Sequence, residues 1–201
     1  VGGPWGIWSN VGWQKLTGQH VEDNTRQSAM AGLYWRAMDA PTHRLQLGIN
    51  SINFWYDKNL SEFTLGQGGY YSPQRYSSVS LPITWWQRGE RWTLTTRAAV
   101  SYSNSLTKDA EYFPLNPDYQ SQANNPIFSG GAGRGAGYSF LVSGEYQLQP
   151  RWVLGGRVEL ERSVNTNYQP NRATFYLRYH LEPSAKPLPW PPEALTPYSR
   201  F

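Results

Sequence analysis

The sequence contains no cysteine, so disulfides and thiolate metal sites are excluded and the fold cannot depend on an oxidising compartment. It also lacks any apolar run near the roughly 18 residues that a membrane helix requires. Basic runs are missing too. The 18 Lys and Arg give a formal net charge of +4, but they are spread along the chain, and no nucleic-acid partner is expected. No signal-peptide pattern opens the chain. Val1 leads almost directly into patterned sequence, so the expectation is a processed chain or the C-terminal piece of a longer one.

Groupings that could do chemistry are equally scarce. His20, His43 and His180 have no metal-ligand spacing, and no serine sits in a nucleophile-elbow context. GQGG at 66–69 and GGAGRGAG at 130–137 superficially resemble phosphate cradles. Such loops work by leading into a helix whose first amides face the phosphate, and neither stretch precedes a helical pattern. Glu159 and Glu161 fall on one strand face, about 7 Å apart by strand rise, with Arg157 beside them. A glycosidase needs its carboxylates to face each other across a cleft, so this pair reads as a neutralised polar wall. No enzyme and no cofactor are predicted.

What the chain has in excess is aromatic residues: 15% Phe, Trp and Tyr, including ten Trp, at a mean hydropathy of −0.63. Its dominant pattern is a period of two. In RATFYLRYHL (172–181), Ala173, Phe175, Leu177, Tyr179 and Leu181 oppose Arg172, Thr174, Tyr176, Arg178 and His180. The same reading predicts about eight strands, near 5–16, 26–38, 44–57, 74–86, 92–104, 138–149, 152–163 and 172–182. Residues 26–38 also have helical propensity, but their alternation favours a strand. Each strand is long enough to cross a bilayer at a tilt. Short connections at 39–43, 87–91 and 149–151 alternate with long ones at 17–25, 58–73, 105–137 and 164–171, as in an outer-membrane barrel with periplasmic turns and external loops.

On that topology Trp5, Trp35, Trp85, Trp92, Trp152 and Tyr179 lie near the periplasmic strand ends and point to the apolar face. Trp13, Trp55, Tyr102 and Tyr138 do the same at the outer ends. Amphipathic rings are favoured at a lipid–water interface. A soluble sandwich would bury its aromatics in a core and has no reason to collect them at strand ends. The fold class predicted is therefore an all-β, antiparallel transmembrane barrel in the bacterial outer membrane. Two places resist the pattern. In 44–57, Ser51 and Asn53 fall on the apolar face while Ile52 and Phe54 fall on the other, which predicts a face-switching bulge. Pro82 interrupts 74–86 and predicts irregular pairing there.

Eight strands can close alone, but such a barrel has little interior beyond its own side chains. The inward set comprises Arg36, Arg97, Arg157, Glu159, Glu161, Arg172 and Arg178. Packed in a dry interior these groups would carry a large desolvation cost, so a wet lumen and a larger barrel, with this chain as its C-terminal half, are favoured. A polar lumen with aromatics suits a saccharide polymer, because rings stack on sugar faces and loosely held sites let it slide. Phe63, Tyr70, Tyr71, Tyr76, Tyr34 and Tyr176 are the candidate contacts.

The stretch WYDKNLSEFTLGQGGYYSPQRYSSVSLPITW (55–85) resembles the C-terminal domain of the cellulose synthase operon protein C family, and GWQKLTGQHVEDNTR (12–26), GLYWR and the ending PYSRF are compatible with it. The resemblance implies a barrel of about sixteen strands that conducts glucan outward, preceded by a periplasmic helical-repeat scaffold that binds the rest of the secretion machinery. It further implies that the loop 58–73 is an external gate, with Gly66, Gly68 and Gly69 permitting sharp turns and Tyr70 and Tyr71 meeting the polymer. Residues 1–182 are thus expected to form barrel wall. The Pro-rich residues 183–201 would form an extended tail that tucks into the lumen from below or meets a periplasmic partner. Phe201 resembles the terminal signal read by the barrel-assembly machinery. A general diffusion porin, a small closed adhesive or structural barrel, and a soluble sugar-binding sandwich remain as alternatives.

Overall fold

A computed structural model describes residues 3–162 and 170–191. Its framework is one antiparallel sheet of eight strands: β1 (Trp5–Gly18), β2 (Val21–Asp39), β3 (His43–Tyr56), β4 (Arg75–Arg88), β5 (Trp92–Thr107), β8 (Gly131–Gln149), β9 (Trp152–Arg162) and β10 (Arg172–Tyr179). Between β5 and β8 lie a two-stranded ribbon, β6 (Ala110–Glu111) with β7 (Ile127–Phe128), and the short helix α1 (Pro117–Gln122). The sheet is a plain meander in chain order, and among the described residues β1 and β10 are not neighbours.

Three tight turns occupy one end of the sheet, between β2 and β3, β4 and β5, and β8 and β9. Among the described residues the opposite end carries two substantial connections, 57–74 and 108–130. The expected long connection at 17–25 is not there. β1 and β2 run on and meet through Gln19 and His20, where His20 takes a left-handed φ of 58°. Polar residues on a strand extended past the apolar band read as loop in a sequence, because only cross-strand pairing distinguishes the two. The connection expected at 105–137 shrinks to 108–130, since its glycine run is strand. Within it α1 starts on Asn116, whose side chain accepts from the Tyr119 amide, with Pro117 at the first turn. Most of the segment expected at 164–171 lies outside the described residues, as does Phe201.

The bulge predicted within 44–57 is also absent, because β3 pairs with β4 in a single register from His43 to Phe54. Ser51 and Asn53 therefore stay on the apolar face, where Asn53 Nδ2 donates to Ser51 Oγ at 3.0 Å. Two polar side chains that satisfy each other remove the need to turn the strand over. The extra residue falls on β2, at Ala37 between Arg36 and Met38. The irregularity expected at Pro82 is present: the β3–β4 ladder lapses between the Leu47–Ile83 and Asn50–Ser80 pairs without losing register. Gly48 makes room for the ring, since a Cβ there would lie 3.2 Å from Pro82 Cγ.

Among the described residues no second layer covers this sheet, so its fully buried side chains gather at the two ends. Leu60, Ser72 and Pro73 belong to the 57–74 connection, while Val153 and Leu188 lie at the turn end. Leu188 arrives there because the tail crosses beneath the turns. His180 donates its amide to the Arg151 carbonyl (2.8 Å), Ser184 to Pro150 (2.8 Å) and Leu188 to Glu90 (3.0 Å). Beyond it, Arg88 lies over the Trp190 ring at 5.7 Å.

Candidate functional site

The two faces of the sheet differ in chemistry. On one, the register aligns Trp5 with Trp35, Leu45 with Trp85, and Trp152 with Tyr179 near the turn end. Trp5 stacks on Trp35 at 5.9 Å and Trp152 meets Tyr179 at 4.8 Å. Trp92 opens β5 at the same end. Toward the loop end the face carries Trp13, Trp55, Tyr102 and Tyr138, all exposed, and between the two rows stand exposed Ile7, Val11, Leu81, Val100 and Phe175. Trp5 and Trp13 are eight residues apart on one strand, or about 26 Å at strand rise. At the 35–45° strand tilt of a transmembrane barrel this is about 20 Å of height, most of its roughly 25 Å apolar band.

The other face is concave. Side chains from β3, β4, β5, β8 and β9, together with Tyr71 of the long connection, line one cavity of about 640 Å³. Five strands can share a cavity only if the sheet curls around it. This face also carries the ionic groups. Glu145 on β8 is fully buried and accepts from the Tyr176 hydroxyl (2.8 Å) and from the Arg178 guanidinium. Glu159 pairs with Arg157 at 2.6 Å and Arg172 at 3.5 Å. Arg36 bonds Asp39 at 3.1 Å near the turn end. Arg97 faces the same side at mid-strand, and Glu161 lies at the cavity rim.

Tyr176 reaches Glu145 because β9 has Gly155 in the row between them. A Cβ at Gly155 would lie 2.2 Å from the Tyr176 ring, so the ring lies flat across the glycine. Tyr34 covers Gly6 in the same way, with a would-be contact of 2.1 Å. These two candidates lie flat along the wall, and Tyr176 has spent its hydroxyl on Glu145.

The 57–74 connection is docked onto the outer end of β2 by Asn24, which is almost fully buried. Asn24 Nδ2 donates to the Lys58 carbonyl (2.9 Å) and the Tyr70 hydroxyl (3.0 Å), and its Oδ1 accepts from the amides of Lys58 (2.9 Å) and Thr25 (2.9 Å). Lys58 Nζ also donates to Glu22 at 2.6 Å, and the Glu22 amide donates to the Gly66 carbonyl at 2.8 Å. Hydrogen bonding to Glu22 raises the Lys58 pKa above its ordinary value, and burial raises that of the Tyr70 phenol. The connection is tied to its neighbour too, through Asn59 to the Lys108 carbonyl and Gln67 to that of Glu111. Gly66 (φ 96°) and Gly69 (φ 65°) adopt backbone that favours glycine. Gly68 does not, and serves instead by leaving space for the Tyr70 ring.

Of the six aromatic candidates, three come together. Tyr70, Tyr71 and Tyr76 join Phe54 and Tyr56 in one cluster beneath the loop. Phe54 stacks on Tyr76 at 4.4 Å, Tyr71 meets both edge-on, and Tyr70 leans on Tyr56 at 5.8 Å. Arg26 lies over Phe54 and Tyr56. Phe63 does not join them: it is 89% exposed, resting on Gly69. Sequence reasoning missed Phe54, Tyr56, Arg26 and Asn24. The first was mistaken for a residue needing a bulge, although unbroken alternation already put it on the polar face.

A family model described as the cellulose synthase operon protein C C-terminus matches residues 1–182. The chain belongs to this family. The family match ends just past β10, where the proline-rich tail begins. Among the curated relatives, cellulose synthase operon protein C of Salmonella typhimurium is 34% identical over 198 residues, covering 96% of this chain and 17% of its own length. That of Pseudomonas fluorescens is 34% identical over 193 residues, covering 96% and 15%, and that of Xanthomonas axonopodis pv. citri 29% over 213 residues, covering 96% and 14%. The chain thus spans less than a fifth of the length of these relatives.

Proposed function

We propose that this domain is part of the wall of an outer-membrane β-barrel through which a nascent β-glucan, cellulose, leaves the cell. The observation that carries the reading is the two-faced curved sheet. Its convex face has an apolar band between two aromatic rows, as the lipid-facing side of a barrel does. Its concave face offers hydroxyls, ion pairs and tyrosines. Family membership supplies the polymer, since the relatives are named for the cellulose synthase operon. The end strands β1, of 14 residues, and β10, of eight, each have an edge unpaired among the described residues, which favours continuation into further wall rather than an isolated sheet. Periplasmic partners would bind through segments beyond this domain.

The transport is passive in this reading. Synthesis elsewhere drives the chain, and the wall supplies a wet path with no covalent step. The loop 57–74 acts as the gate, held shut by Asn24 and the Lys58–Glu22 pair. The tail segment 180–191 crosses the periplasmic side beneath the turns. The test is ion current through the whole natural protein in a planar bilayer. Cello-oligosaccharides should block it in a length-dependent way and maltodextrins of equal length should not. Equal block by both would reduce the protein to a general porin and refute the export reading.

A further inference from the structure

Phe54, Tyr76 and Tyr71 form one side of the 640 Å³ cavity. Beside the rings runs a set of hydroxyls: Ser78, two residues from Tyr76 on β4, pairs directly across the ladder with Ser103, and Ser80 with Ser101, all four lining the cavity. Glu161 and Arg162 close its far edge. The space exists because the glycine run that looked like a phosphate cradle is a strand. Its residues Gly133 and Gly137 face the cavity and put no side chain into it.

We propose that this cavity is a glucan-binding subsite at the outer end of the path, where a short run of a β-linked glucan lies against Tyr76 and Tyr71 with its hydroxyl rim on the serines. The inference rests on the export reading and assigns that path a defined site. A β-glucopyranose carries its hydroxyls around the rim and leaves two C–H faces, so it needs a ring face below it and hydrogen-bonding groups beside it. Both occur here within one cavity, of a volume usual for ligand sites. A serine hydroxyl donates and accepts and can rotate to suit, so the partners exchange as a chain slides. Glu161 adds a charge-assisted acceptor. The flat-lying rings elsewhere are already engaged: Tyr176 is committed to Glu145 and Tyr34 covers Gly6. Because Tyr71 comes from the loop and Tyr76 from the wall, ligand in this cavity touches both the gate and the channel.

The test is a ligand-observed NMR titration of the detergent-solubilised full-length protein with cellohexaose, and with maltohexaose as the control. Wild type should bind the β-linked sugar selectively. Tyr76→Ala should raise the Kd about tenfold, a typical loss for one aromatic stacking partner, and Ser103→Val should raise it severalfold, with an unchanged thermal midpoint as the folding check. Valine is well suited to a strand, so Ser103→Val decides alone if Tyr76→Ala does not fold. Unchanged Kd in the folded variants would overturn the subsite, as would absence of cellohexaose binding to wild type. Unchanged Kd in variants of a wild type that binds cellohexaose would leave the export reading standing, whereas no binding to wild type would count against both readings.

Discussion

Asn24→Ala isolates what holds the loop shut. The side chain makes four hydrogen bonds at 2.9–3.0 Å, three of them to Lys58 and Tyr70 of the loop. Truncation leaves the Lys58 and Thr25 amides without an acceptor and the Lys58 carbonyl without a donor, in a pocket where Asn24 itself is almost fully buried. A stranded group costs about 1–3 kcal/mol. With some water admitted to this partly buried site, the total is about 2–4 kcal/mol, which multiplies the open fraction of the loop about 30- to 1000-fold. The readout is amide hydrogen exchange in the full-length protein. Gln67, Gly68 and Gly69 donate to Thr64, Leu60 and Glu62 within the loop, and their protection should fall by that factor. Asn24→Asp keeps the accepting oxygen, loses the two donations and should fall in between. Unchanged protection in Asn24→Ala would mean that the Asn59–Lys108 and Gln67–Glu111 bonds hold the loop, and the pinned-gate argument would be refuted.

Further outcomes are expected. Glu145→Ala leaves Arg178 facing a cavity in place of its carboxylate and should cost about 3–5 kcal/mol in unfolding experiments, with Glu145→Gln markedly milder. Leu188→Asp puts a charge where a leucine is fully buried, so limited proteolysis should cut residues 180–190 rapidly while the thermal midpoint of the sheet barely moves. Lys58 and Tyr70 both titrate above their ordinary values of 10.5 and 10.0. Loop docking should therefore be complete below about pH 10 and weaken as pH rises through the raised values, seen as growing mobility of a spin label at Phe63→Cys. Gly155→Val collides with the Tyr176 ring and should swing it off Glu145 into the lumen, lowering single-channel current.

The strands and their faces were legible because alternation survives wherever one side meets an apolar environment and the other water. Legibility failed where that contrast ends. Past the apolar band, residues 22–25 and 131–137 are polar or small on both faces, so strand and loop look alike until pairing partners are known. Ser51 and Asn53 misled for a related reason. Each is costly alone on an apolar face, and only their mutual hydrogen bond makes an unbroken strand acceptable. The candidate site was half legible. Tyr70, Tyr71 and Tyr76 stood out as a cluster in the chain, whereas Phe54 and Asn24 join them only through the β2–β3–β4 register.

Glycine has two distinct uses here, and together they shape the concave face. At Gly6 and Gly155 the missing side chain lets a tyrosine from the next strand lie down over bare backbone, which restores packing where a glycine would weaken the sheet. Gly133 and Gly137 instead line the cavity and put no side chain into it. A β-carbon at the first pair would force the rings off the wall, while bulk at the second would fill the cavity where Tyr71 and Tyr76 meet the serine hydroxyls. The same residue type thus keeps one stretch of wall smooth and another hollow, and the difference lies entirely in what the neighbouring strand supplies.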